Sequence, residues 1–313
     1  MAISDLDDLK KVRWARLSVL SNTLLVCLKI TVGFFTGSVS ILAEALHSSV
    51  DLAASVITFL SIRIAAKAPD RKHQYGHGKF ENAASVIEGL LIIAGAAIIV
   101  KEAVPKLLFG GHAVERLSWG AGVMALSSLT NWLVSRKLFK VADETGSPAL
   151  AADGWHLRTD VYTSAGVLCG LILIKITGWT FFDPVLALVV AVFILRAGWV
   201  ITREAFSILV DVSLPEDEVR KIREAIGRHG GRFVEYHGLR ARKSGSGRFI
   251  DLHLVMPGDI LLSAAHEICT AIESDLEREL PDTDVTIHPE PCDYDCAECR
   301  FQRSGSNRCG LLN

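Results

Sequence analysis

Neither sign of charge dominates this sequence: 33 lysines and arginines meet 35 aspartates and glutamates over 313 residues, a formal net charge of −2. A surface built to hold nucleic acid carries a basic excess, so that class of partner is excluded. The His-Glu-x-x-His helix of zinc hydrolases is also missing. A membrane metalloenzyme would therefore lack the general base it needs beside an open metal position. Ahead of the first apolar run, residues 1–11 carry Asp5, Asp7 and Asp8 and no small-residue cleavage site, so no removable signal peptide is expected. Cysteine is sparse. Of seven, Cys27 and Cys169 lie in apolar runs, Cys269 in a later polar region, and Cys292, Cys296, Cys299 and Cys309 in the tail. That spacing suits thiolates on a metal better than a disulfide framework.

What is abundant is apolar surface. Half of the residues are hydrophobic and the mean hydropathy is +0.34, yet 22% are charged, a mixture that implies a membrane part followed by a soluble one. Six apolar runs are present, at 17–35, 39–62, 82–104, 117–138, 149–177 and 182–201, the first two near the ~20 residues that cross a bilayer. Lys10, Lys11, Arg13 and Arg16 precede the first run, Arg63, Lys67, Arg71, Lys72 and Lys79 separate the second from the third, and Arg136, Lys137 and Lys140 follow the fourth. The positive-inside rule puts these three segments, and hence both termini, in the cytoplasm of what is expected to be a bacterial inner membrane.

Within this apolar context two pairs stand out. His47 and Asp51 lie four residues apart in the second run, and His156 and Asp160 repeat the spacing in the fifth. At that spacing both side chains share one helix face, and an ionisable group at mid-membrane costs roughly 2.5–3.5 kcal/mol on insertion scales. One such pair could be an interhelical hydrogen bond. Two pairs facing each other supply four nitrogen and oxygen ligands, a tetrahedral set for Zn2+. Glu44 and Glu88 read as pathway groups or as interhelical partners, and Lys29 as a side chain that snorkels to an interface.

From residue 215 the pattern changes to a small α+β domain. A helix at 215–228 with Ser213 as its cap, strands at 233–242 and 249–256 around the turn 244–247, a helix at 263–280 and a strand at 284–288 give the order helix, strand, strand, helix, strand. That order describes an open ferredoxin-like sheet with helices on one face. His237, His253 and His288 fall on strands, where alternation allows them a common face with Glu290, and His266 is near the start of the second helix. The domains expected are thus a six-helix transmembrane transport domain at 1–211, a cytoplasmic metal-binding domain at 212–290 and a Cys-rich tail at 291–313.

The residues match a family. The stretch Gly37-Ser38-Val39-Ser40-Ile41-Leu42, the two His/Asp pairs, the loop Tyr75-Gly76-His77-Gly78-Lys79-Phe80-Glu81 and the His-bearing C-terminal domain resemble the cation diffusion facilitators, proton-coupled exporters of divalent metals. The resemblance implies a transport site of His47, Asp51, His156 and Asp160 and a loop site of Asp70, His73 and His77. It further implies a cytoplasmic binuclear site of His237, His253, His266, His288 and Glu290, the last where other members have aspartate. It also implies a homodimer tied by charges at Lys79 and Asp211.

The expected activity is therefore export of Zn2+, or of the softer Cd2+, against protons, because metal and proton compete for the same ligand atoms and imidazole titrates in the physiological range. Zn2+ is expected both as cargo and as a regulatory or structural ion. Export of Fe2+, Mn2+, Co2+ or Ni2+ is the alternative, as is a membrane metal sensor that moves nothing. Cys292, Cys296, Cys299 and Cys309 could close a small four-thiolate zinc knot or be a disordered tail.

Overall fold

The computed structural model describes residues 3–36, 39–109, 119–177, 179 and 181–292. Two compact units emerge, Met1–Leu209 and Val210–Asn313.

The first unit is six long helices: α1 Ile3–Thr36, α2 Val39–Ala65, α3 Lys79–Phe109, α4 Trp119–Thr145, α5 Pro148–Thr177 and α6 Phe182–Leu209. Four of them contain stretches long and apolar enough to cross a membrane, namely Leu6–Phe35, Ala45–Ala65, Lys79–Leu108 and Pro184–Leu209. On composition α4 and α5 fall short of the six spans expected. Arg136, Lys137, Lys140, Asp143 and Glu144 crowd the end of α4, and Asp153, His156, Arg158 and Asp160 the beginning of α5.

Helices also run past their apolar stretches. α1 begins in the charged segment before residue 17 because that segment has buried work: Lys11, 3% exposed, donates to Glu81 Oε1 of α3 at 3.4 Å. Ser147, just before α5, donates to the other Glu81 oxygen. A buried charge needs such a partner.

In packing, α3 lies chiefly against α6, α1 against α2 and α4 against α5. The α3–α6 contact is close at glycines: a Cβ on Gly198 would stand 3.0 Å from the Gly89 carbonyl oxygen. Small residues let helix backbones approach in this way within a membrane. Lys29 does not snorkel. It is 2% exposed and donates to Ser48 Oγ of α2 at 2.6 Å.

In the second unit α7 (Glu216–Arg228), β1 (Glu235–Ser244), β2 (Gly247–Met256), α8 (Leu262–Glu279) and β3 (Thr283–Pro291) follow the expected order. Ser213 is not the helix cap: Pro215 occupies that position without a side-chain cap bond, and Ser213 instead bridges to Arg242. β1 and β2 form an antiparallel hairpin closed by Gly245 and Ser246, with Gly245 at φ 61°. β2 pairs parallel with β3, so α8 is a crossover and the sheet order is β1-β2-β3.

One sheet face builds the core. Ile250, Leu252, Leu254 and Met256 of β2 pack with Ile222 and Ile226 of α7 and Ile268, Ile272 and Leu276 of α8. Strand alternation turns the intervening residues to the opposite face.

Candidate metal centres

Facing turns of α2 and α5 create the first centre. Ligand atoms of His47, Asp51 and Asp160 all lie within 4.8 Å of one another, and His156 Nε2 is 3.1 Å from Asp51 Oδ1. All four expected residues therefore meet. Asp51 and His156 are buried, Asp160 is half-buried and His47 exposed, so the cluster is open on the His47 side.

The packing around it holds the ligands in place. Asn131 Nδ2 of α4 donates to Asp160 Oδ2 at 3.3 Å, a fixed supporting contact of the sort that orients metal ligands. Sequence patterning singles out neither Asn131 nor Asp153. The signal it does carry is Asp153-x-x-His156, an acid three residues ahead of the ligand and on its helix face. Glu88 proves to have an interhelical partner, the Thr58 hydroxyl of α2.

A second cluster forms in the loop between α2 and α3. Asp70 Oδ1 is 3.4 Å from His73 Nδ1, and Asp70 Oδ2 is 3.4 Å from His77 Nε2; the two imidazole centroids are 4.4 Å apart. Backbone N–H groups of His73 and Lys72 donate to Asp70 Oδ1 at 2.8 and 2.7 Å. Those bonds, joined by the nearby histidines, hold the Asp70 carboxyl below the usual carboxylate range. His77 Nδ1 lies 3.3 Å from the Lys67 carbonyl. A carbonyl only accepts, so Nδ1 carries the proton and Nε2 offers its lone pair to the cluster.

The third centre is a row across the sheet. His237 is opposite His253, and His253 opposite His288, in consecutive strand registers, with ring centroids 5.1 and 5.2 Å apart. Glu290, two residues along β3, joins them: Oε1 is 2.5 Å from His253 Nδ1, and Oε2 is 3.0 Å from His237 Nε2. His253 followed by His237 hold this carboxyl below the usual range. A bulge between His237 and Arg240 adjusts β1 here, with Gly238 at φ 64°.

His266 does not join the row. It is exposed on α8, and α8 packs on the core face of the sheet, away from the imidazoles. Lys79 Nζ donates to the Leu209 carbonyl at 3.3 Å, while Asp211, at φ 59°, accepts from Arg242 at 3.3 Å. Of the tail cysteines, Cys292 is a half-buried free thiol; Cys296, Cys299 and Cys309 lie outside the described residues.

Comparison with known proteins gives these clusters a context. Residues 15–210 match the profile of the cation efflux transmembrane domain, and 214–292 that of the cation efflux protein cytoplasmic domain, a dimerisation module. An uncharacterised transporter of Synechocystis sp., sll1263, is 34% identical over 278 residues, 89% of each chain. The cation-efflux pump FieF of Yersinia pestis is 33% identical over 284 residues, covering 90% of this chain and 94% of that one. Among solved structures, the metal-bound C-terminal domain of the CzcD transporter from Thermotoga maritima is 28% identical, covering 25% of this chain and 91% of its own, with a TM-score of 0.24. With one profile across more than half of the chain and relatives a third identical along nine tenths of it, the chain belongs to the cation diffusion facilitator family, membrane transporters rather than enzymes.

Proposed function

We propose that the protein exports divalent metal ions, Zn2+ above all and Cd2+ beside it, from the cytoplasm in exchange for protons, with His47, Asp51, His156 and Asp160 as the transport site. The observation that carries this is the meeting of two His/Asp pairs from α2 and α5: three ligand groups within 4.8 Å and the fourth 3.1 Å from Asp51. Two imidazoles and two carboxylates replace the water of a dehydrated divalent ion and cancel its charge. Each ligand must lose its proton to bind. Protons arriving from outside thus displace the metal and neutralise the carboxylates for the return.

The donor set supports zinc. Mixed nitrogen and oxygen ligands in a four-ligand site suit Zn2+, whereas an all-carboxylate set leans to Mn2+ or Mg2+; Fe2+, Co2+ and Ni2+ are the competing cargoes. In this reading residues 1–211 cross a bacterial inner membrane six times with both termini cytoplasmic, and 212–290 form a metal-holding homodimer. The tail at 291–313 would add a thiolate site. Asp70, His73 and His77 are the loop site. His237, His253, His288 and Glu290 are the cytoplasmic centre, to which His266 would have to come from a second copy, since in one chain it lies on the helical layer. Lys79 and Asp211 would act at the dimer contact.

Proteoliposomes loaded with a zinc dye test the proposal: a pH gradient should drive zinc uptake that Asp51→Ala or Asp160→Ala abolishes. Flux that survives both substitutions would defeat the site assignment. A metal sensor, favoured by the imidazole row alone, predicts zinc binding with no flux in the unaltered chain.

A further inference from the structure

A second set of acidic groups is buried beside the proposed transport site. Glu88 of α3 and Asp153 of α5 are both 0% exposed. The Thr58 hydroxyl donates to Glu88 Oε1, and the Ser55 hydroxyl donates to Asp153 Oδ1 at 3.0 Å. Ser55 and Thr58 are three residues apart on one face of α2, about 5–6 Å between Cβ atoms. The two carboxylates they hold are therefore neighbours, each within electrostatic reach of the other and of His156.

Asn22 Nδ2 donates to Ser55 Oγ at 2.7 Å, and Ser18, whose Oγ lies 3.3 Å from the same oxygen, also hydrogen-bonds Asp153. Glu88 Oε2 and Asp153 Oδ2 have no hydrogen-bond partner among the described residues. The charged groups acting on Glu88 are Asp153 and His156, and the one acting on Asp153 is His156. Two buried acids with one open oxygen each, ringed by serine and threonine hydroxyls, thus share one imidazole that the proposed transport site already uses. Buried carboxylates of this kind bind a cation or hold a proton. An all-oxygen ring with two negative charges has the chemistry of a divalent cation site.

The geometry points to a second divalent-cation subsite formed by Glu88 and Asp153 with the hydroxyls of Ser55 and Thr58. Ser55 follows Asp51 by four residues and Thr58 by seven, toward the C-terminal end of α2. Given the transport reading above, on which this assignment rests, that end faces the cytoplasm. Metal leaving the cytoplasm then meets hard oxygen ligands, which accept a partly hydrated ion, before it meets the imidazoles that complete its dehydration. The subsite takes Mn2+ as readily as Zn2+, because nothing in it is nitrogen or sulfur.

Zinc bound per chain decides the matter, counted by equilibrium dialysis and atomic absorption on the full-length protein in detergent. Glu88→Gln should remove one equivalent from the unaltered chain and one equivalent again from an Asp51→Ala/Asp160→Ala chain, and Asp153→Asn should do the same. Thr58→Val, nearly the same shape, should weaken that equivalent about tenfold, the worth of one hydrogen bond to a charged group. The assignment is overturned if Glu88→Gln leaves the count unchanged, as it would were both carboxyls simply protonated. It is equally overturned if the loss vanishes in the Asp51→Ala/Asp160→Ala background, because Glu88 would then only support the transport site. A parent chain with no pH-driven flux would sink the transport reading, and the metal count would still decide whether the subsite exists.

Discussion

The membrane cluster and the sheet row use the same two ligand types and reach them by opposite means. In the membrane unit the pairs sit on two separate helices, Asp51 and His156 are buried, and a shift of α2 against α5 would separate the ligands. In the soluble unit three imidazoles are fixed by strand register, 5.1 and 5.2 Å apart, and Glu290 bridges two of them from the surface. One arrangement is assembled from movable parts and buried except on its His47 side. The other is pre-set and open. On the proposed transport reading, the difference separates a centre that would release an ion on a conformational change from one that would hold it: helices slide as rigid bodies, whereas a hydrogen-bonded sheet does not.

The largest test of that contrast removes a membrane ligand. Asp51→Ala or Asp160→Ala should lower zinc flux in vesicles by more than about a hundredfold, beyond the ~10–100-fold that losing a merely supporting contact costs. Zinc held by the sheet row should be unchanged, as measured by dialysis of the same preparations. Loss of metal from both centres would mean that the two are not separate devices.

The converse substitution comes next in size. His253 is the middle of the row, paired to His237 on one side and His288 on the other. His253→Ala, which removes a ligand of the row, should weaken zinc binding by the cytoplasmic unit by about a hundredfold, the top of the range for losing a merely supporting contact, while leaving pH-driven flux measurable. If flux disappears with it, the row does more than hold metal and the comparison fails on that side.

The two regions are also legible in the sequence to different degrees. The membrane pairs are conspicuous because an ionisable His-x-x-x-Asp spacing is costly in an apolar run unless it has a use, and the helix period places both side chains on one face. The row is visible as a possibility only, since alternation assigns faces but not register. Nothing in the sequence dictates that residues 237, 253 and 288 lie side by side rather than two residues out of step. The bulge at Gly238 sets the His237–His253 part of that register and the β2–β3 pairing sets the His288 part, and an isolated glycine in a strand signals a bulge without saying which way it shifts. Least legible are the supporting groups. Asn131, Asp153 and Ser55 are ordinary residues until three-dimensional packing brings them against the ligands and one another. Lys29 departs from expectation because snorkelling assumes a lipid-facing side chain, and this one faces Ser48.

A smaller effect is expected at the bulge itself. Gly238 combines φ 64° with a tight neighbour: an added Cβ would stand 3.2 Å from His253 Cδ2. Gly238→Ala should cost about 1 kcal/mol for the left-handed backbone and push the His253 ring out of line, lowering zinc affinity several-fold. Because the metal ligands all remain, the sheet-row reading predicts weakened rather than abolished binding, and calorimetric titration distinguishes the two.

The smallest effect concerns acid. The hydrogen bond from His253 holds the half-buried Glu290 carboxyl below its ordinary range, against the opposing effect of burial and with a further hydrogen bond from His237. A carboxyl whose folded pKa is depressed stabilises the fold above its unfolded value, near 4.3, and that stabilisation fades as pH drops from there through the lower folded value. Metal-free protein should therefore lose amide protection in β3 within that acidic window, followed by hydrogen exchange. Glu290→Gln, which cannot titrate, should flatten this part of the profile while leaving protection at pH 7 nearly intact. The membrane helices should show no matching change, since Glu290 belongs to the sheet. A parallel loss of protection in α2 and α5 that Glu290→Gln also suppresses would show that the row is coupled to the proposed transport site, and the separation of a holding centre from a releasing one would have to be given up.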